Sequence, residues 1–259
     1  MVYKLPKYIE YTPGNIPKIF HQIWIGGDIP PVLKHIMSTF RKMEGYKYKL
    51  WKNKDLTEDN FPITWEYIQN IQSKKKVIYA MIADLMRLEI LYHYGGIYVD
   101  TTAFAIKNFD GILDNKSKFI MSNEQDCGLK CKHLNKKYIS NSFIASVPHY
   151  KVLERLLSKS SLDKIDFSLK ANYATGPYYV RTGIKRADDV KMLATKLIYP
   201  ENSDENPDKC VFEERDKKGL KKLKYIKDIV YYLKLPCTSE DYPEAYMLKT
   251  WTIGGSWLL

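Results

Sequence analysis

Residues 77–102 constrain the fold of this chain more than any others. Val77, Met81, Leu85, Leu88 and Tyr92 recur at spacings of three and four, the stripe of a helix over residues 77–94. Gly95-Gly96 breaks that helix, Ile97-Tyr98-Val99 reads as a short buried strand, and Asp100-Thr101-Thr102 closes it. Helix, turn, strand and then a carboxylate at the strand's carboxyl end is a piece of an open α/β sheet. Ligands of such sheets bind at that edge. A carboxylate placed there can hold a ribose hydroxyl, a sugar hydroxyl or a metal ion on a diphosphate.

The rest of the first half alternates in the same way. Residues 16–25 read as a strand between Pro13-Gly14 and Gly26-Gly27-Asp28. Residues 31–43 fit a helix with proline in its first turn. Residues 46–51 alternate as a half-buried strand, and residues 55–72 read as helix in two pieces, broken at Phe61-Pro62. Strand, helix, strand, helices, strand predicts a mainly parallel sheet. In the second half, residues 119–122 and 138–145 read as strands and residues 149–158 as a helix. Gly176-Pro177 marks a turn, with a helix starting at Tyr178. Residues 201–208 read as a loop, and residues 223–235 as a strand or a basic amphipathic helix. With no repeat and no linker, the expectation is one domain over residues 1–259.

Charge narrows the partners. Lys and Arg number 41 against 30 Asp and Glu, a net charge of +11, which favours anionic ligands without choosing among them. The runs at 74–76, 130–137 and 217–224 read mainly as solvated surface. The 21 tyrosines suit a cleft lining, with an apolar body and a polar tip. Cys127, Cys131, Cys210 and Cys237 are too few for a disulfide framework; Cys127, Cys131 and His133 read first as a loop with free thiols, and second as a zinc site that would need a fourth ligand. The amino end lacks an apolar leader core, and no run of about 18 apolar residues occurs. These features predict a cytoplasmic protein, peripheral at an anionic membrane surface if the basic stretch 221–234 docks there. Walker A, GxGxxG, HExxH and GxSxG sequences are absent.

Three side chains carry two readings each. Asp84 and Arg87 share a helix face, either as a local ion pair or as a carboxylate for sugar hydroxyls beside a guanidinium for phosphate. Trp24 is either a core residue or a ring beside a nucleotide base, with Gly26-Gly27 letting backbone approach the ligand. His21 alternates with Ile23 and reads as a structural histidine.

Together these segments resemble the DXD-containing sugar-transferase family, which includes yeast initiating mannosyltransferases, capsular polysaccharide synthesis proteins and large clostridial glucosylating toxins. The opening strand Pro17 to Gly27, the block Ala83-Asp84-Leu85-Met86-Arg87 and the block Tyr94 to Asp100 carry the likeness. Asn141 to Ser146, Thr175-Gly176-Pro177 and the terminal Ser256-Trp257 resemble its weaker blocks. The resemblance implies a GT-A fold, a Rossmann-like α/β domain with a mixed, mainly parallel sheet. It also implies a nucleotide-sugar donor, a glycan, lipid-linked or protein acceptor, and retention at the anomeric carbon. Asp100, Asp84 and Arg87 would be catalytic. Trp24, Ile25, Gly26, Gly95, Gly96, Tyr98, Asn141, Ser256 and Trp257 would complete the donor site.

A manganese or magnesium ion would sit on Asp100, Thr102 and Ser256. Two departures weaken that ion's site: Thr102 stands where the motif's second acid is expected, and Lys249-Thr250-Trp251 replaces a usual histidine. Lys249 can supply part of the metal's charge. These departures leave a silent sugar-nucleotide binder as the alternative. A nucleic-acid binder ranks below it, because the lysines form no stripe and no RNP-type or zinc-finger motif occurs.

Overall fold

The computed structural model describes residues 14–114, 116–125, 138–200 and 242–249. Its elements run β1 (Ile19–Trp24), α1 (Pro31–Arg41), β2 (Lys47–Lys52), α2 (Trp65–Gln72), α3 (Tyr79–Tyr94), β3 (Gly96–Val99), β4 (Ala103–Ala105), β5 (Phe119–Gln125), β6 (Tyr138–Ser146), α4 (Lys151–Leu157), α5 (Lys159–Leu162), α6 (Ala171–Ala174), α7 (Pro177–Thr182), β7 (Val190–Leu193), α8 (Thr195–Ile198) and β8 (Met247–Lys249). One sheet has six strands in the order β2-β1-β3-β6-β5-β7, and a second pairs β4 with β8. β1 runs parallel to β2 and β3, and β7 runs parallel to β5, while β6 is antiparallel to both its neighbours. The large sheet is therefore mixed and mainly parallel, as the alternating pattern predicts.

The sheet centre is apolar on both faces. Phe20, Ile97, Val99, Phe143, Ile144 and Ala145 are fully buried there. Helix α3 is wrapped almost all round, with twelve of its residues buried between Met81 and Tyr94. A helix buried on every side needs a sharp exit, and two glycines supply it. Gly95 has φ 61° and Gly96 φ 93°, a region that side-chain-bearing residues rarely enter. The Gly95 N–H caps the Leu91 carbonyl at 2.9 Å, and β3 starts at once between β1 and β6.

The predicted two-piece helix over residues 55–72 is corrected. Only a 3-10 turn at Asn53–Asp55 and helix α2 form, with turns between them. The reason is tertiary. The buried Glu89 carboxylate accepts from the Ile63 N–H (2.8 Å), the Thr64 N–H (2.9 Å) and the Thr64 hydroxyl (2.6 Å), which starts α2 just after Pro62. Strands β4, β7 and β8 and the short helices α5, α6 and α8 have no counterpart in the sequence reading; each spans only three or four residues. The stretches 201–208 and 223–235, the four cysteines and His133 lie outside the described residues.

His21 behaves as a structural histidine. Trp51 Nε1–H donates to its Nδ1 at 3.2 Å. An indole can only donate, so Nε2 carries the ring proton and donates to the Gly95 carbonyl at 3.1 Å. The ring thus ties β2 and β1 to the glycine turn. Burial pulls its pKa from 6.5 down to about 3. In the unfolded chain the ring takes up a proton near its ordinary value, so stability is lost as pH falls from 6.5 towards 3. His21→Gln removes that loss. In urea unfolding the variant is expected to be the less stable protein near neutral pH, with the gap closing as pH drops to about 5. Every other titrating group is shared, so a gap that stays constant with pH would refute this account.

Candidate active site

The carboxyl ends of β1 and β3 open on one edge of the sheet, and β6, running the other way, brings its early residues to the same edge. Asp100 follows β3 directly. Its N–H bonds the Ser142 carbonyl (3.0 Å), and its own carbonyl accepts from the Gln22 amide (3.0 Å) and the Ala103 N–H (3.0 Å). Tyr48 in turn donates to Gln22 Oε1 at 2.8 Å. The backbone of Asp100 is therefore held from three sides, and its side chain points into a cluster of charge. Oδ1 accepts from the Tyr98 hydroxyl at 2.9 Å and lies 3.5 Å from Arg87 Nη1. Oδ2 accepts from the Lys249 ammonium at 2.6 Å.

Helix α3 supplies the other half. Arg87 Nη2 meets Asp84 Oδ1 at 2.9 Å, one turn back on the helix. Arg87 Nη1 donates to the Asn141 carbonyl at 2.6 Å, and the guanidinium lies 4.4 Å from the centre of the Tyr98 ring. The Asn141 amide donates to Asp84 Oδ1 (2.8 Å), and the Thr175 hydroxyl donates to Asp84 Oδ2 (2.8 Å). Asp84 is 1% exposed and Arg87 6%, so their pair lies beneath the site, while the partly exposed Asp100 faces outward. Of the two readings of Asp84 and Arg87, the structure shows the ion pair. That pair stiffens the ground under Asp100.

Burial pushes the Asp84 carboxyl up to about 6, although the Arg87 guanidinium and the Thr175 hydroxyl pull it down. Burial also raises Asp100, but Lys249 and then Arg87 outweigh it, and the carboxyl titrates below its ordinary value. Asp100 is thus ionised at neutral pH. Burial works against the Arg87 charge, yet Tyr98, Asp84 and Asp100 together hold it protonated. Below this layer the hydroxyls of Ser140, Ser142 and Tyr199 bond one another at 2.6–3.1 Å.

The residues singled out from sequence fall into three places. Asp84, Arg87, Tyr98, Asp100 and Asn141 converge. Trp24, Ile25 and Gly26 stand at the end of β1, beside that convergence. Trp24 is half-buried, packed on the cluster of Leu33, Ile36 and Met37, and its Nε1–H donates to the Gly27 carbonyl at 2.8 Å. Asn53 clamps the Gly26 peptide through both its amide atoms, at 2.8 and 2.7 Å, and the exposed Tyr79 ring lies against Gly26. Gly95 and Gly96 stand at the amino end of β3, away from Asp100, packed on Pro148 and Ile19. Ser256 and Trp257 lie outside the described residues. No sequence motif assigns a site role to Gln22, Tyr48 or Asn53. Gln22 alone leaves a trace, as a polar residue beside His21 in a strand whose other side chains are apolar.

The described side chains do not fit a divalent ion. Such an ion gathers about six oxygens at roughly 2.0–2.6 Å. Here each Asp100 oxygen already faces a cation, Thr102 offers a hydroxyl, and no group of three or more His, Cys, Asp or Glu stands among the described residues.

A mainly parallel sheet with a carboxylate at its central strand edge, together with a second, two-stranded sheet, is the GT-A class of glycosyltransferase fold. The solved structure of the PaToxG glycosyltransferase shares it, with a TM-score of 0.51 at 18% identity over 66% of this chain and 69% of that one. A family described as "Glycosyltransferase sugar-binding region containing DXD motif" matches residues 31–119. An uncharacterized glycosyltransferase, L373, of Acanthamoeba polyphaga mimivirus is 30% identical over 199 residues, covering 72% of this chain and 74% of the viral one. Inositol phosphoceramide mannosyltransferase 1 of Schizosaccharomyces pombe is 26% identical over 63% of this chain, which spans 49% of that protein's length. The chain belongs to the DXD glycosyltransferase family. Its motif reads Asp100-Thr101-Thr102.

Proposed function

We propose that this glycosyltransferase moves a hexose from a UDP- or GDP-sugar to a glycan, lipid-linked or protein acceptor, with retention, and that residues 1–259 act as one domain. The observation that carries this reading is the convergence on Asp100: one ionised carboxylate at the strand edge, bracketed by two cations. A carboxylate grips sugar or ribose hydroxyls, and cations steady the departing diphosphate, so donor and leaving group are served by one cluster. Trp24 and the Asn53-clamped Gly26 peptide provide a ring and backbone suited to a base alongside. The name of the fission-yeast relative favours a mannosyl donor and a lipid-linked acceptor. Such an acceptor agrees with a chain of charge +11 working at an anionic membrane surface. Among the described residues no helix is long and apolar enough to cross a membrane.

Thermal shift with UDP-, GDP-, CMP- and dTDP-sugars tests the reading. A donor at about a hundred times its dissociation constant stabilises the folded state by about 2.7 kcal/mol. One nucleotide class is expected to give that shift. Indifference to all four, with salt-sensitive binding of oligonucleotides instead, would replace the reading with a nucleic-acid role.

A further inference from the structure

Lys249 is placed by the fold, not by its neighbours in sequence. It ends β8, which lies antiparallel to β4 with Lys249 opposite Ala103. The Ala103 N–H bonds the Asp100 carbonyl at 3.0 Å, so β4 begins in the turn that leaves Asp100. The small sheet therefore delivers the ammonium to the carboxylate, 2.6 Å from Oδ2, with the lysine side chain 7% exposed. Lysine is rarely buried so far unless paired. Arg87, the other cation here, is committed to Asp84 and Asn141 beneath. Glu124 joins the group: burial raises its carboxyl, and the Lys249 charge pulls it down. An ammonium carries three donors on a flexible stem, enough to hold Asp100 and a phosphate oxygen together.

We infer that Lys249 is the built-in cation for the donor's diphosphate. Asp100 holds the ammonium at the strand edge, the ammonium meets the phosphate oxygens, and the nucleotide binds without a divalent ion. The inference rests on the nucleotide-sugar reading above. It also accounts for Thr102: with a lysine at this carboxylate, a second motif acid is not required.

Calorimetric titration of the full chain with UDP, GDP and dTDP, in EDTA and in manganese, tests it. The wild-type protein is expected to bind one nucleotide with the same affinity in both buffers. Lys249→Met, which keeps the aliphatic stem, is expected to lose about tenfold to a hundredfold in affinity in EDTA, the worth of one charge-assisted hydrogen bond. Lys249→Arg is expected to retain most of it. Wild-type binding that appears only with manganese overturns the inference, and so does wild-type affinity in a folded Lys249→Met protein. If the methionine variant fails to fold, the EDTA–manganese comparison on the wild type still decides. A wild-type protein that binds none of the nucleotides in either buffer defeats the nucleotide-sugar reading itself, a result distinct from a metal requirement.

Discussion

Asp100→Asn is expected to leave the protein folded and to cut sugar transfer by roughly a hundredfold or more. The substitution keeps the side chain's size. The three backbone bonds that hold residue 100, from its N–H to Ser142 and to its carbonyl from Gln22 and Ala103, do not involve the carboxylate. What disappears is the negative charge. Lys249 at 2.6 Å and Arg87 at 3.5 Å then face a neutral amide, and the Lys249 ammonium loses the anchor that aims it. Removing one partner from a buried pair is costly, but water reaches Asp100, whose side chain is 22% exposed, so the cost to folding is discounted. Catalysis has no such relief, because it depends on where the charges stand. Circular dichroism and donor turnover, measured on one preparation, separate the two effects. Wild-type turnover in a folded variant would remove Asp100 from the site. Because the Asp100 carboxyl titrates below its ordinary value, its ionisation adds no pH step near neutrality.

Gly95→Ala and Gly96→Ala are expected to be the most damaging single substitutions for stability, each costing about 3 kcal/mol or more. A Cβ on Gly95 would stand 2.6 Å from Pro148 Cδ and 2.8 Å from both the Pro148 nitrogen and the Ser146 carbonyl oxygen. On Gly96 it would stand 2.6 Å from Ile19 Cγ2 and 2.8 Å from the Ile19 carbonyl oxygen. Those oxygens and that nitrogen are backbone of strands and turns at the sheet centre, which cannot step aside as a flexible side-chain tip can. Backbone strain at φ 61° and 93° adds to the clash. A loss of this size is a large share of the roughly 5–15 kcal/mol that holds a domain folded. Gly27→Ala is the control, since nothing lies within 4 Å of its added Cβ. Urea unfolding should rank the control close to wild type and the other two far below. Similar midpoints for all three would refute the packing argument.

Much of the central motif was legible because it is local. The spacing of Val77, Met81, Leu85, Leu88 and Tyr92 marks a helix, and α3 occupies Tyr79–Tyr94. Two adjacent glycines mark its end, and a β-branched and aromatic run marks a strand with an acid at its close. Helix period, turn chemistry and strand composition act over a few residues, so a linear text records them. The same holds for the alternation that predicts a mainly parallel sheet. The segment 56–64 misled because a tertiary contact set the boundary there: Glu89 caps α2 from 25 residues away in the chain.

The α/β class, the glycine turn and an aspartate at the end of a buried strand can be read along the chain, since each follows from short-range sterics and hydrophobic period. Which groups meet that aspartate is set only by the folded chain. Asn141 reaches Asp84 across 57 residues, Thr175 across 91, and Lys249 reaches Asp100 across 149. Those meetings depend on the reversed direction of β6 and on the pairing of β8 with β4. Strand order and direction come from how whole faces pack together, which no window of neighbouring residues records.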